Sequence, residues 1–168
     1  MRGLVTCVLL EYTLIMSTEL IYHPPSSAPG DVSPFDEAVI SVVKDNNVKI
    51  ACPYLNLTYV QRIIRLSQSW QILTDAEEWL ASHNKNAREQ IQKFIKDNSE
   101  RIHHCRDLHA KVIVAGEKAL VGSANFTHKG ITQRTEMSVL FEDEPQVEEL
   151  DLWFNNCGGC HHRLMRMS

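Results

Sequence analysis

Hydrophobic and polar positions follow two different periods along the chain, and the change between them marks the predicted elements. Short apolar runs rich in β-branched residues are typical of buried strands, whereas apolar residues three or four positions apart are typical of one face of a helix. By this criterion the predicted strands cover residues 19–23, 48–52, 70–73, 102–106, 110–115, 119–121 and 137–141.

The helical period occurs in four segments. Ser33 followed by Pro34 and an acidic first turn predicts an N-cap and a helix that runs to about Lys44. Further helices are predicted over 59–66 and 86–97, and a closing helix starts near Pro145. Because strands and helices alternate first and strands cluster later, we expect an α/β fold with a mixed β-sheet and helices on both of its faces.

The two ends and one internal segment lack this regular pattern. Residues 24–31 have the composition of a loop. Residues 1–15 are apolar but are shorter than a membrane span and are followed by no small-residue cleavage site, so we expect an N-terminal extension with Met16 close to the start. The predicted domain then covers 16–156, and 157–168 form a tail.

The composition narrows the class of protein. The 168 residues include 17 Lys and Arg against 21 Asp and Glu, with a mean hydropathy of -0.23, which excludes a disordered chain and a general nucleic-acid coat. Any contact with a polyanion must be local, and the basic side chains concentrate over 83–134. Five cysteines at irregular spacing favour a reducing compartment, so we expect a cytoplasmic protein.

The residues with the strongest chemical signal lie between 108 and 127. In a strand, His109 and Lys111 share a face because they are two positions apart. A tight turn reverses the chain, and the returning strand ends at Gly122, Ser123 and Asn125. A cation, a hydroxyl and an amide can hold a phosphate there, the histidine can attack phosphorus or move a proton, and the glycine allows a close approach of the backbone.

This arrangement resembles the phospholipase D superfamily, whose signature is His-x-Lys, four residues, Asp, six residues and Gly-Ser-x-Asn. The five residues named above match it. Gly116 stands where the family has its Asp, and the interval to Gly-Ser is one residue shorter. Since the Asp of this family is less directly involved than the His and the Lys, the departure affects turn geometry and full activity more than the fold.

The resemblance also implies a mechanism. Glu136 occupies a position similar to that of the acidic residue that orients the nucleophilic histidine. The family uses two His-Lys sets, and this chain has one, so the resemblance implies a homodimer with its active site on a two-fold axis. One His109 would form a phosphohistidine and the other would protonate the leaving group, with no cofactor or metal ion. Gly122, Thr127 and Lys129 are expected to contact the substrate.

The expected function is therefore that of a metal-independent phosphodiesterase, most simply an endonuclease of DNA or RNA. A related module that binds nucleic acid with weak or no catalysis is the main alternative. A phospholipid phosphodiesterase is a further alternative, although nothing after Met16 looks like a membrane-docking surface, so no stable membrane association is expected.

Several other features have competing interpretations. The sequence Cys-Gly-Gly-Cys-His at 157–161 fits a haem-attachment pattern or half of a zinc site, but a frayed tail is the favoured interpretation. The second His-x-Lys, at His83, is attributed to chance because no Gly-Ser-x-Asn follows it. His103 and His104 are expected in a strand beside the site. His128 and Arg134 fit either phosphate contacts or a solvated loop.

Overall fold

The computed structural model of the chain describes residues 17–23 and 33–159. The expected N-terminal extension, the segment 24–31 and residues 160–168 of the expected tail lie outside the described residues. The strands are β1 (Ser17–His23), β2 (Asn47–Ala51), β3 (Ser69–Thr74), β4 (Ile102–His104), β5 (Val112–Ala115), β6 (Lys118–Gly122) and β7 (Glu136–Glu142). The helices are α1 (Pro34–Val43), α2 (Leu57–Ile64), α3 (Ala76–Ala81), α4 (Lys85–Asp97), α5 (His128–Thr132) and α6 (Pro145–Gly159).

The strands form one seven-stranded sheet in the order β1-β7-β6-β5-β2-β3-β4. Strands β2, β3 and β4 are parallel to one another, and the remaining neighbours are antiparallel. The predicted mixed sheet is confirmed. Each parallel connection is a crossover that contains helices, as expected for strands that cannot be joined by a tight turn.

Two hydrophobic clusters lie on opposite faces of the sheet. The larger one packs side chains of α1, α2, α3 and α4, such as Phe35, Val60 and Trp79, against β2, β3 and β5. The smaller one packs Val147 and Phe154 of α6 on the other face. Because helices bury apolar stripes on both faces, the layered α/β architecture predicted from the hydrophobic pattern is confirmed.

The structure corrects several details. Helix α1 begins at Pro34 as predicted, but the hydroxyl of Ser33 donates to the carbonyl of Ile131 at 2.9 Å and does not cap the helix. Helices α3 and α5 were not predicted. Strand β5 begins at Val112, two residues later than expected, and α6 continues to Gly159, beyond residue 156. Across the described ranges, no helix has the length and apolar character that crossing a bilayer requires.

Candidate active site

The candidate active site lies at one edge of the sheet, where five strands begin or end. The carboxyl ends of β2 and β3 meet the beginning of β5, because β5 is antiparallel to β2. The end of β6 and the start of β7 lie beside it, with Gly122 paired to Ser138 and the amide of Gly122 donating to the carbonyl of Lys111 at 3.1 Å. This topology brings the segments 109–111, 122–125 and residue 136 to the same edge.

Lys111 is a buried cation at this edge. Its side chain is only 7% exposed, and its ammonium donates to the carbonyl of His109 at 2.7 Å. Burial lowers the pKa of Lys111, although the nearby Cys52 and Glu136 partly oppose that shift. Among the residues that the structure describes, no carboxylate lies within ion-pair distance of this ammonium. Within the described ranges, the site therefore holds a positive charge with no carboxylate at ion-pair distance.

His109 is exposed and lies in an irregular segment before β5. The prediction that His109 and Lys111 sit side by side on one face of a strand is wrong, because β5 begins only at Val112. The two residues still lie next to each other, with the lysine turned into the protein and the histidine accessible to solvent. An exposed imidazole on the residue whose carbonyl accepts from a buried ammonium suits attack on a phosphorus whose oxygens contact the lysine.

Ser123 and Glu136 are joined directly. The Ser123 hydroxyl donates to the carboxylate of Glu136 and accepts from the amide of Met137 at 3.2 Å. Among the described residues, no hydrogen bond joins Glu136 to His109. Glu136 thus lies at the site, as its position in the sequence predicts, while its contact is with the serine.

Asn125 lies beside a cysteine that sequence reasoning did not single out. The fully buried thiol of Cys52, at the end of β2, contacts the Oδ1 atom of Asn125 at 3.6 Å. Burial raises the pKa of Cys52 to about 11, so the thiol stays protonated near neutral pH and can donate. The single thiol proton has a second and nearer acceptor, the carbonyl of Tyr54 at 3.3 Å, while the amide nitrogen of Asn125 is the group that can donate to a substrate oxygen.

The three residues expected to contact the substrate differ in whether they have a side chain available to it. Gly122 has no room for a side chain, because a Cβ there would lie 2.2 Å from the Ser138 hydroxyl. Thr127 caps α5 and accepts from the amide of Gly130 at 3.2 Å. Lys129 is exposed in α5. Only Lys129 of these presents a charged side chain to solvent beside the site.

The missing Asp of the motif falls at the far end of the β5–β6 hairpin. Ala115 pairs with Lys118, so the loop consists of Gly116 and Glu117, with Gly116 at a φ of 58°. A glycine at the first loop position is typical of a type II′ turn. Four strand residues separate this turn from Lys111, about 13 Å at the rise of a β-strand. The shortened motif therefore changes the turn and leaves the site's edge of the sheet intact.

Asp75 is a second residue at this edge that the sequence analysis missed. It follows β3, is 4% exposed, and accepts hydrogen bonds from three backbone amides. Both Asp75 and Cys52 directly follow parallel strands, so their positions in the chain could have pointed to the edge where those strands end.

The rival sequence features bond to other parts of the chain or lie outside the described residues, although His104 lies 3.9 Å from Asp75 at this edge. His83 contacts the carbonyl of Trp79 at the end of α3, and Trp79 is part of the core. His104 accepts from the amide of Ala76 at 3.1 Å. Cys157 lies in α6, while Cys160 and His161 are outside the described residues. Within residues 17–23 and 33–159, no group of three or more His, Cys, Asp or Glu could hold a metal ion.

One protein-family model matches most of the chain. The model of the family described as cardiolipin synthase, PLD-like domain, matches residues 40–157, a stretch that includes every site residue described above. The chain belongs to the phospholipase D-like family. In the phospholipase D-like domain, the matched region extends from α1 into α6 and covers six of the seven strands.

Solved structures with the same fold have similar or greater lengths. Nuc, a phospholipase D family member from Salmonella typhimurium, is 15% identical with a TM-score of 0.61, covering 84% of this chain and 93% of that one. NucT from Helicobacter pylori is 15% identical with a TM-score of 0.56, covering 84% and 95%. Phosphatidylserine synthase from Haemophilus influenzae Rd KW20 is 15% identical with a TM-score of 0.61, covering 87% of this chain but 39% of that chain. No curated protein matches by sequence.

Proposed function

We propose that the phospholipase D-like domain is a metal-independent phosphodiesterase that cuts DNA or RNA internally, with His109 as its nucleophile. Membership of the family makes the domain a phosphodiesterase-type fold. The nucleic-acid substrate, the covalent intermediate and the dimeric active site are our proposals.

The buried ammonium of Lys111 is the observation that carries the proposal. A buried charge is costly unless an opposite charge pairs with it, and the described residues place no carboxylate within ion-pair distance. A phosphate that enters beside the exposed His109 would supply that charge. The amide nitrogen of Asn125 adds a hydrogen-bond donor for a second phosphate oxygen.

The proposed reaction has two displacements at phosphorus. An unprotonated imidazole nitrogen of His109 forms a bond to phosphorus while the bond to the leaving oxygen breaks, and a protonated His109 of the partner subunit gives its proton to that oxygen. The partner's histidine then takes a proton from water, whose oxygen attacks phosphorus and breaks the phosphorus–nitrogen bond. Lys111 and Asn125 stabilise the charge on the oxygens that do not leave.

A homodimer supplies the second histidine. The chain has one His-Lys set with a following Gly-Ser-x-Asn, and an isologous two-fold contact brings the same surface together with itself. The exposure of His109 leaves its ring accessible to a partner.

A strand of nucleic acid fits the surroundings of the site better than a lipid headgroup. Arg106, Lys129 and Arg134 are exposed in the two connections that border this edge of the sheet. No described carboxylate forms an ion pair with any of the three. Several unpaired cations around one catalytic cation suit a polymer with phosphates on both sides of the cleaved bond.

A nucleic-acid-binding module without cleavage is the second candidate. It is favoured by one contact, because Glu136 accepts from Ser123 and no hydrogen bond within the described residues orients the His109 ring. Such a module would use the same cations to hold phosphates and would leave the ester bond intact.

Hydrolysis of single-stranded DNA and of bis(p-nitrophenyl) phosphate, with and without EDTA, tests these alternatives. We expect EDTA-resistant cleavage with a bell-shaped pH profile, because one histidine must be neutral and the other protonated. The variant H109A should lose cleavage, whereas H83A, which alters the other His-x-Lys, should keep it. Binding of DNA without any cleavage would favour the module, and EDTA-sensitive cleavage or an active H109A would contradict the proposed mechanism.

A further inference from the structure

The segment that carries His109 needs an anchor, because it lies outside the strands. Residues 105–111 connect β4 to β5 and belong to no strand, although at the end of this segment the carbonyl of Lys111 accepts from the amide of Gly122. The amide of Cys105 donates to the carbonyl of Thr74 at 2.9 Å, and the amide of Leu108 donates to the carbonyl of Cys105 at 3.3 Å. Between them, Asp107 has a φ of 59°, a left-handed conformation that aspartate adopts more readily than most residues and that Asp45 and Asp143 share.

The carboxylate of Asp75 stabilises that conformation. Its Oδ2 atom accepts from the amide of Asp107 at 2.8 Å, the residue two positions before His109. Its Oδ1 atom accepts from the amides of Glu77 and Glu78, each at 3.1 Å, and so caps α3. One oxygen therefore serves the helix and the other serves the segment that carries the nucleophile.

The presence of an aspartate at position 75, where other residues could also cap α3, indicates a second role for this side chain. A helix N-cap needs one acceptor oxygen, and Ser, Thr or Asn supplies it about as well as Asp. A buried carboxylate offers two acceptor oxygens and has no donor group. It is required only if a second set of amides must also be satisfied. The side chain is 5% exposed, and the His104 ring nitrogen is 3.9 Å from Oδ1, at the limit of ion-pair distance.

We infer that Asp75 is a positioning residue for catalysis, which holds the His109 segment against the end of β3 so that the imidazole meets phosphorus in line. This inference rests on the proposed function, because it assigns His109 the role of nucleophile. Asp75 touches neither substrate nor the reacting atoms and acts through the main chain of Asp107. A misplacement of about 1 Å in a nucleophile can lower a rate by up to about 100-fold.

The variant D75S separates the two roles of Asp75. A serine caps α3 but is too short to reach the amide of Asp107 as well. We expect kcat to fall about 10-fold, with KM within about twofold of the wild type, because the phosphate-binding side chains are unchanged. The matched control is N84A, which removes the side-chain cap of α4, where Asn84 accepts from the amide of Ala87 at 3.1 Å. N84A should keep the wild-type kcat.

Amide hydrogen exchange gives a readout that does not depend on activity. In D75S, exchange over 107–111 should become faster while the amides of Glu77 and Glu78 stay protected. The variant D75N, which keeps one acceptor oxygen in the same shape, should fall between D75S and the wild type. An unchanged kcat and unchanged exchange in D75S, or an equal loss of kcat in N84A, would overturn the inference.

Different results would reject the proposed nucleophile, His109, and the positioning role of Asp75. If H109A is active, the proposed nucleophile is wrong, and the exchange experiment still reports whether Asp75 anchors the segment. If H109A is inactive while D75S has the wild-type kcat, the nucleophile stands and the positioning role of Asp75 is rejected.

Discussion

At the scale of single residues, solvent exposure distinguishes two side chains that are close in the sequence. Lys111 is buried and His109 is exposed, although the sequence places them two positions apart. Burying the lysine with no described carboxylate at ion-pair distance lowers the stability of the fold, a loss that the proposed role in phosphate binding accounts for. Removing its charge should therefore have opposite effects on activity and on folding.

The variant K111M tests this. Methionine has a similar length and no charge, so it removes the phosphate contact without leaving a large cavity. We expect kcat/KM for DNA cleavage to fall by about 10²- to 10³-fold, since a charge-stabilising group is lost. We expect the free energy of unfolding at pH 7, measured in urea, to be equal to or greater than that of the wild type.

The pH dependence of that stability provides the control. Burial lowers the pKa of Lys111 in the folded state, so between that pKa and the unfolded value of about 10.4 the unfolded chain binds more protons. The stability of the wild type relative to K111M must then rise with pH in this window. A stability advantage of K111M that grows from pH 7 to pH 10 would contradict the assignment of a desolvated ammonium.

At the scale of elements, the contact between β6 and β7 fixes where the Gly-Ser-x-Asn segment begins. Gly122 pairs with Ser138, and a Cβ at residue 122 would lie 2.2 Å from the Ser138 hydroxyl and 2.8 Å from the Met137 carbonyl. The glycine is therefore needed for close approach of two strands, and through this pairing it positions Ser123 beside Glu136.

The variant G122A should separate these strands. We expect a loss of at least about 2 kcal/mol in the free energy of unfolding, because overpacking at a backbone contact cannot be relieved by a rotamer change. The double variant G122A/S138G removes the hydroxyl but leaves the Met137 carbonyl, so it should recover part of that loss. If G122A unfolds at the same urea concentration as the wild type, the two strands are not so closely packed.

The helices α3 and α5 and the first residue of β5 could not be predicted from the sequence pattern. Helix α3 spans six residues and α5 five, too short for a helical period to appear in the sequence. The alternation over 108–111 has the period of a strand, but β5 begins only at Val112, and the left-handed Asp107 before this segment donates its amide to Asp75. That contact joins residues far apart in the chain, which a local pattern does not record.

At the scale of the whole molecule, one active site would need two chains. In an equal mixture of wild type and H109A that has exchanged subunits, about a quarter of the dimers contain two copies of His109. If both histidines act on one ester bond, the activity should fall to about a quarter of that of pure wild type at the same total concentration. Independent subunits would give about a half.

An equal mixture of wild type and H83A controls for the mixing itself and should keep full activity. Sedimentation of the wild type at the assay concentration should show a dimer. A species that stays monomeric while it retains full activity would exclude the shared site.

The sequence by itself determined the layered α/β architecture, because apolar runs and helical stripes record which faces are buried. It also predicted the candidate site, because His109, Lys111 and Asn125 lie in one motif close in the chain. The tertiary structure alone decided that Lys111 is buried, that Cys52 lies beside Asn125 and that Asp75 accepts from the segment before β5. Desolvation and contacts across the ends of parallel strands depend on which distant segments meet, and no local pattern of residues encodes that meeting.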